Sequence, residues 1–409
     1  MNCIRTILST LLLAMLTALQ ADPPFIEKQD LFTVGQDPAY SIYHIPGIVV
    51  TAKGTVLAWC EARKRAAGVT DWDDIRILLR RSTDDGRTWS TPECISNVPG
   101  AKTKNPSALK LKNVDPNDVT YNNPVLIADK DGTIHMLFCL EYMRAFYQRS
   151  EDDGLSWSQP IEITNAFEGF KKHYDWKVLA TGPNHSIQLK TGRLVVPVWL
   201  SLGTGSNGGH HPSVSATIYS DDSGKSWHAG EIAVPSTAEW IDPNETVAIE
   251  LSNGRVMLNV RNESKAHRRI ITTSADGATG WSTPKFDDAL LEPLCMGGIV
   301  RYAFGDQRLI LFSNPHNLET AKGTPVPGKN RDRKNLSIKI SRDEGQTWPV
   351  NKSIEPGPSM YSDLAVAKDG TILCFYGRSA ENPSGTPLAG MTGERLTLAR
   401  LNLEWLTAP

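Results

Sequence analysis

The sequence predicts an all-β fold, a six-bladed β-propeller, and three observations carry that prediction. The first is an eight-residue pattern, Ser-x-Asp-x-Gly-x-Thr/Ser-Trp, at Ser82–Trp89, Ser150–Trp157, Ser220–Trp227 and Ser341–Trp348, with a degenerate copy at Ser274–Trp281. The second is a set of short apolar runs, each entered through a Gly-containing turn and in phase with the first pattern. The third is that no long amphipathic helical pattern interrupts them.

The eight-residue pattern has the chemistry of a hairpin turn. Its Asp accepts backbone N–H groups, its Gly takes a positive φ, and its Trp packs between neighbouring sheets. One Asp-Gly turn is a weak signal, but five copies roughly 55 to 70 residues apart fit a four-stranded blade with long loops. The repeat therefore overrides the two or three domains that 409 residues would ordinarily suggest.

Taken in order, residues 1–21 carry an early Arg5, an apolar run from Ile7 to Leu19 and a small residue at Ala21, the layout of a signal peptide. A secreted or periplasmic protein is expected, with residues 22–409 forming one propeller domain. No later stretch approaches the roughly 20 apolar residues of a membrane span. Asp22 to about Gln36 reads as a lead-in, and Tyr40–Val50 begins the first strand-rich unit.

The strand runs that follow are Thr55–Cys60, Ile75–Leu79, Ile134–Cys139, Leu194–Val198, Val256–Val260, Leu309–Phe312 and Thr371–Phe375. Turns such as Lys53-Gly54, Asp131-Gly132, Thr191-Gly192, Asn253-Gly254 and Asp369-Gly370 precede many of them. The last unit should close with Leu396–Trp405, giving about six. The segments Ala101–Thr120, Ser201–Ser213 and Pro315–Asp332, rich in Gly, Pro, Asn and Lys, read as rim loops beside a site.

With 43 Lys plus Arg against 45 Asp plus Glu, the chain has no electrostatic case for binding nucleic acid or an anionic membrane. After Cys3, five cysteines remain, an odd number that does not suggest a disulfide framework. Cys60, Cys139 and Cys374 lie in apolar runs and read as buried thiols. No His, Cys, Asp or Glu cluster has the spacing of a metal site, and His210-His211 read as loop residues. No cofactor is expected.

Between the turns lies an ordered set of non-repeating segments. They are Tyr43-His44-Ile45-Pro46, Cys60-Glu61-Ala62-Arg63, Asp71-Trp72-Asp73-Asp74, Thr181-Gly182-Pro183, Asn244-Glu245-Thr246, Asn259-Val260-Arg261-Asn262, Arg333-Lys334-Asn335-Leu336 and Gly357–Leu364 with Tyr361. In these the chain resembles the exo-sialidase family of Asp-box propellers, over essentially its whole length after residue 21. The resemblance implies hydrolysis of terminal sialic acids from glycoconjugates with retention of configuration.

Each role below is what the resemblance implies. Tyr361 matches the nucleophile. A phenol suits an anomeric carbon that bears a carboxylate, because an Asp or Glu would be repelled, and sialidases depart from the two-carboxylate pattern in this way. Glu245 matches the base that activates it. Asp71 matches the general acid and base at the glycosidic oxygen, with Asp73 as the alternative; Asp74 reads as serving the turn into the next strand.

Arg261 and Arg333 match two of three arginines that grip the sugar carboxylate, where a planar guanidinium forms paired, charge-assisted bonds. Arg331 competes for the second place, but the spacing into the following strand favours Arg333. Arg63 resembles a further arginine lining the pocket. Taken singly, Tyr361 reads rather as a packed strand residue, Glu245 as an exposed loop charge and each Arg as a solvated side chain; within matching segments Tyr361 and Glu245 reverse that preference.

Two departures concern the sugar. The family's first triad arginine is replaced by His44, which offers one N–H when neutral and cannot make a bidentate grip. The glutamate that supports that arginine is replaced by Gly377. Three readings follow: a sialidase, a related propeller hydrolase acting on a different acidic sugar, or a glycan-binding propeller without catalysis, since turn repeats also occur in non-enzymes.

Overall fold

The computed structural model describes residues 23–409 apart from 65–70, 112–113, 206–208, 322–323, 325, 330 and 380–393. The expected signal segment, residues 1–21, lies outside the described residues. Among the latter, helix is confined to Asn165–Glu168, Leu403–Thr407 and a single 3-10 turn at Ala108–Lys110. None is long and apolar enough to cross a membrane. The chain is an all-β propeller.

Strand β1 (Ile26–Thr33) is followed by a first sheet of β2 (Ile42–Val50), β3 (Val56–Arg63), β4 (Ile75–Ser82) and β5 (Glu93–Cys94). The second sheet holds β6 (Tyr121–Ala128), β7 (Ile134–Leu140), β8 (Arg144–Ser150) and β9 (Ile161–Glu162). Then come β10 (Val178–Thr181), β11 (Asn184–His185), β12 (Ile187–Gln188), β13 (Leu194–Ser201), β14 (Ser213–Ser220) and β15 (His228–Val234). These form the third sheet, except that β11 runs parallel to β6 and so ties the third segment to the second sheet.

The fourth sheet is β16 (Thr246–Glu250), β17 (Val256–Val260), β18 (Arg268–Ser274) and β19 (Lys285–Leu291). The last contains β20 (Gly298–Tyr302), β21 (Leu309–Pro315), β22 (Lys334–Ser341), β23 (Val350–Val366), β24 (Ile372–Arg378) and β25 (Arg395–Leu401), with β1 at its edge. Among the described residues the hydrogen-bonded sheets number five, so the expected six units do not appear as six separate sheets. The reason is β23, whose first half pairs with β22 and whose second half pairs with β24.

Apolar side chains fill the spaces between sheets. Leu57, Trp59 and Leu79 of the first sheet meet Leu126, Met136 and Phe138 of the second. Within the seven-stranded sheet, Leu311, Ile338 and Ile340 pack against Ile372, Cys374 and Ala399. Cys60, Cys139, Cys295 and Cys374 are buried free thiols, and Cys94 is exposed.

The turn repeat behaves as its composition requires. Asp152 accepts from the Ser156 amide at 2.8 Å and its hydroxyl at 2.5 Å, and Ser150 Oγ accepts the Gly154 amide at 2.8 Å. The Ser156 donors hold the Asp152 carboxyl down at about 2. Each turn also leans on the preceding sheet. A Cβ at Gly224 would fall 2.4 Å from the Tyr147 hydroxyl of β8, and the matching glycines at 154, 277 and 345 face Leu57, Val195 and Met257.

Two expectations need correction at the ends of the chain. The lead-in contains β1, which pairs antiparallel with β25 from Ile26 opposite Leu401 to Thr33 opposite Arg395. Trp405 lies in the short terminal helix rather than in the last strand. The first unit's glycine, Gly86, faces Leu398 of β25, so the ring closes between the two ends of the chain.

Candidate active site

The site gathers where strands leave the sheet at one end of the propeller. There the backbone repeats a local irregularity: Ile45, Asn123, Gly182 and Asp242 each have a positive φ and each precede a proline. For the non-glycine residues this conformation is sparsely populated and costs free energy, a cost found where side chains are aimed for function. At Ile45 the irregularity breaks the β2–β3 register between His44 and Gly47, and Gly47 lies flat against the Trp59 indole, where a Cβ would come within 2.2 Å.

Glu245 and Arg261 are set side by side by the β16–β17 hairpin. Arg261 N donates to Glu245 O and Asn244 N to Arg261 O, both at 3.0 Å. Their side chains form an ion pair through Arg261 Nη1 and Glu245 Oε2. The Tyr361 hydroxyl, in the second half of β23, lies 2.7 Å from both Glu245 oxygens and accepts from Arg261 Nη1 at 2.9 Å.

Arg333 is held next to Tyr361 by the β22–β23 pairing, in which Ser359 N donates to Arg333 O at 3.0 Å. Its guanidinium lies over the Tyr361 ring, 5.4 Å from the centroid, and donates to Leu294 O. Arg331, the sequence competitor, donates instead to Val326 O and Lys329 O within its own loop. The structure thus brings Tyr361, Glu245, Arg261 and Arg333 together. Burial pushes the Tyr361 hydroxyl well above its ordinary range; Arg261 and Arg333 oppose that and Glu245 adds to it.

Asp71 and Arg63 form a second group. Arg63 Nη1 donates to Asp71 Oδ1 at 2.9 Å and Nη2 to Glu61 Oε2 at 2.8 Å, with Glu61 completely buried. Positions 61 and 63 of β3 point to one face, so the strand itself aims both at the site. Burial pushes the Asp71 carboxyl up, but Arg63 and His210 outweigh it and hold it down at about 2. Asp74 pairs with Lys64 and Arg76, which agrees with a role in the turn, and Asp73 is fully buried with its carbonyl accepting from Thr120 Oγ1.

Two of the expected rim loops do border this group. From the 101–120 loop, Lys104 Nζ donates to Trp72 O at 2.6 Å and pairs with buried Glu141, anchoring the residue next to Asp71. From the 201–213 loop comes a correction: His210 is no bystander. Its Nδ1 lies 3.8 Å from Asp71 Oδ2, and its ring packs against Trp72, Tyr142 and Trp199 at 4.9–5.5 Å between centroids. Sequence reasoning missed Tyr142, Trp199 and His210 because no motif links them, whereas the alternation of Glu61 and Arg63 was readable.

His44 is buried, with its ring 4.5 Å from that of Tyr361. Burial and the nearby Arg63 and Arg333 push its imidazole well below the ordinary range, so it is neutral at pH 7. At Gly377 a Cβ would lie 2.7 Å from Met360 Cγ, so Met360 fills the space where a longer side chain would stand. His44→Arg is therefore expected to destabilise the fold, by about 1–3 kcal/mol, because it adds an unpaired cation beside Arg63, Arg261 and Arg333. Chemical denaturation checks this; an unchanged midpoint would mean that another group compensates the charge.

Arg63 Nε, Arg261 Nε, Arg333 Nη1 and Trp199 Nε1 are buried donors without a hydrogen-bond partner, as are the indole N–H groups of the turn-repeat tryptophans Trp157, Trp227 and Trp281. The guanidinium groups of Arg261, at the Tyr361 hydroxyl, and of Arg333, over the Tyr361 ring, are the charge that an anionic ligand would meet there.

Comparison with known proteins follows the same line. Residues 105–374 match the BNR repeat-like domain. The chain is 29% identical to a sialidase of Micromonospora viridifaciens over 94% of its own length and 55% of that protein's. It is 28% identical to a sialidase of Bacteroides fragilis over 83% of its own length and 60% of that protein's. The chain thus spans little more than half of these two relatives. Among solved structures, the Hadza microbial sialidase Hz136 superposes with a TM-score of 0.68 at 23% identity, covering 92% of this chain and 68% of the other, which carries the fold alone.

Proposed function

Because the chain belongs to the BNR repeat-like family, we propose that it is a retaining exo-glycosidase of the sialidase type, exported from the cell, that releases a terminal acidic sugar from glycoconjugates. The observation that carries this reading is the pair of guanidinium groups at Tyr361, Arg261 at its hydroxyl and Arg333 over its ring. Such donors suit a carboxylate attached to the carbon that Tyr361 would attack. The count of six blades belongs to the same reading: β23 serves two blades in turn, and the seven-stranded sheet divides within it.

In the proposed reaction the Tyr361 oxygen attacks the anomeric carbon while its proton passes to Glu245 across the 2.7 Å contact. Glu245 holds the nucleophile, and Arg261 stabilises the phenolate as it forms. The aglycone oxygen leaves with a proton from Asp71. Water then attacks the glycosyl-tyrosine, with Asp71 as base, and Tyr361 recovers its proton from Glu245. Two displacements at one carbon retain its configuration.

Asp71 is the strained member of this scheme, since Arg63 holds its carboxyl at about 2 and an acid must carry a proton. A bound glycoside would have to lie between Asp71 and Arg63 or replace the water around them. This gives a direct test. Asp71→Asn should lower turnover of an α-sialyl-galactoside about 10²–10⁴-fold, yet scarcely slow the first step on 4-nitrophenyl sialoside, whose leaving group needs no proton. Equal losses on both substrates would remove Asp71 from the acid role, and binding without turnover by the parent enzyme would leave only a glycan-binding propeller.

One observation favours a second reading. Neutral His44 and the Met360-filled space at Gly377 remove both a cation and its partner from one side of the pocket. An acidic sugar smaller or less polar there than sialic acid would fit that side better. Product analysis on a panel of acidic glycans separates the two.

A further inference from the structure

We propose that His211, Asp242 and Glu263 bind one divalent transition-metal ion, which fastens the 201–213 loop to the fourth sheet. The three side chains come from separate parts of the chain: the β13–β14 loop, the segment before β16 and the segment after β17. Their potential ligand atoms all lie within 4.8 Å of one another. Nothing in the order of the sequence suggests this grouping, in which His211 reads as a loop residue.

The backbone around each ligand is fixed. His211 O accepts from Thr204 N at 3.2 Å and Gly205 N at 2.9 Å; Asp242 Oδ1 accepts from Ser213 N at 3.0 Å; Glu263 N donates to Ile241 O at 2.8 Å. The side chains are partly exposed, so an ion can enter and water can complete its shell. His211 Nε2 lies 3.0 Å from Glu263 Oε1. Asp242 and Glu263 thus share one imidazole within 4.8 Å, a like-charge arrangement that a cation relieves.

One imidazole and two carboxylates make a mixed nitrogen and oxygen donor set of charge −2, which suits Zn²⁺ or Mn²⁺ better than the all-oxygen preference of Ca²⁺. Metal–ligand bonds of about 2.1 Å would set the donor atoms roughly 3.4 Å apart in a tetrahedral shell, between the 3.0 Å of His211 to Glu263 and the 4.8 Å that bounds the other pairs. The consequence reaches the pocket through the chain itself. His211 follows His210, the residue that faces Asp71 and packs against Trp72, so the ion would hold the wall on the leaving-group side.

The test uses the purified full chain, stripped with a chelator and titrated with Zn²⁺ and, separately, Mn²⁺ by calorimetry. One ion per chain is expected for at least one metal, with a rise of several degrees in Tm. His211→Ala and Glu263→Gln should each weaken binding at least about tenfold. Glu263→Gln keeps an acceptor for His211, so it decides the matter if His211→Ala does not fold. Absence of stoichiometric binding for both ions, or undiminished binding by the folded variants, overturns the site. No substrate enters the measurement, so it stands apart from the proposed reaction.

Discussion

Tyr361→Phe is expected to lower kcat/KM on any substrate the protein hydrolyses by at least about a thousandfold, while leaving the fold nearly as stable as before. The substitution removes one oxygen and no ring packing. Glu245 keeps its ion pair with Arg261, and Arg333 keeps its place over the ring. The loss of stability should stay within about 1–1.5 kcal/mol, the ordinary worth of a hydrogen bond. The check is a pair of measurements: release of free sugar from a fluorogenic sialoside, and the unfolding midpoint. Retained activity in a folded variant would exclude Tyr361 as the nucleophile, and a parent enzyme inactive on every acidic glycoside would remove the hydrolase reading altogether.

The largest effect on stability is expected from Glu292→Ala. Glu292 and Arg269 are both completely buried, joined at 2.6 Å, and Arg269 otherwise donates to Asn259 Oδ1, Asn259 O and Cys295 O. Lys339 lies close by, its ammonium pushed down to about 7 by burial and by Arg269. Removing Glu292 leaves the guanidinium without its counter-charge in the core, which costs about 3–5 kcal/mol. Urea denaturation measures it. Replacing both partners by apolar residues of similar volume should recover most of the loss, because neither charge is then left buried alone. A single variant as stable as the parent would show that Arg269 finds another acceptor or water. The same substitution frees Cys295 N, which shares a peptide unit with the Leu294 carbonyl that holds Arg333, so activity should fall with stability.

What was legible in the sequence is what is local. The turn repeat is readable because its bonds run between residues two to four apart, as from Ser150 to Asp152 and Gly154, and composition alone specifies them. Glu61 and Arg63 share a face through strand alternation. The segments carrying Tyr361, Glu245, Arg261 and Arg333 stood out by resemblance, and the strand pairings then explain why they converge. β1 was not legible, because its partner lies at the other end of the chain and its own composition is ordinary. Neither His210 nor the grouping of His211 with Asp242 and Glu263 could be read, since each depends on how loops from different sheets meet. The expected six units do not appear as six sheets because of β23, where one unbroken strand carries two registers although Pro356-Gly357-Pro358 stands at the change.

The pairing of β1 with β25 bears on how the molecule assembles. Asp30 in β1 accepts from Thr397 Oγ1 at 2.6 Å across 367 residues of sequence, and Arg378 and Arg395 reach the same carboxylate. Closing a flexible loop of that length first would cost about 5 kcal/mol in chain entropy. Once the intervening sheets have stacked in sequence, the two ends already lie side by side and most of that cost has vanished. The clasp is then the last piece to form. It completes the sheet whose β23 carries Tyr361, so catalytic competence should arrive in a single late step, when the ring shuts.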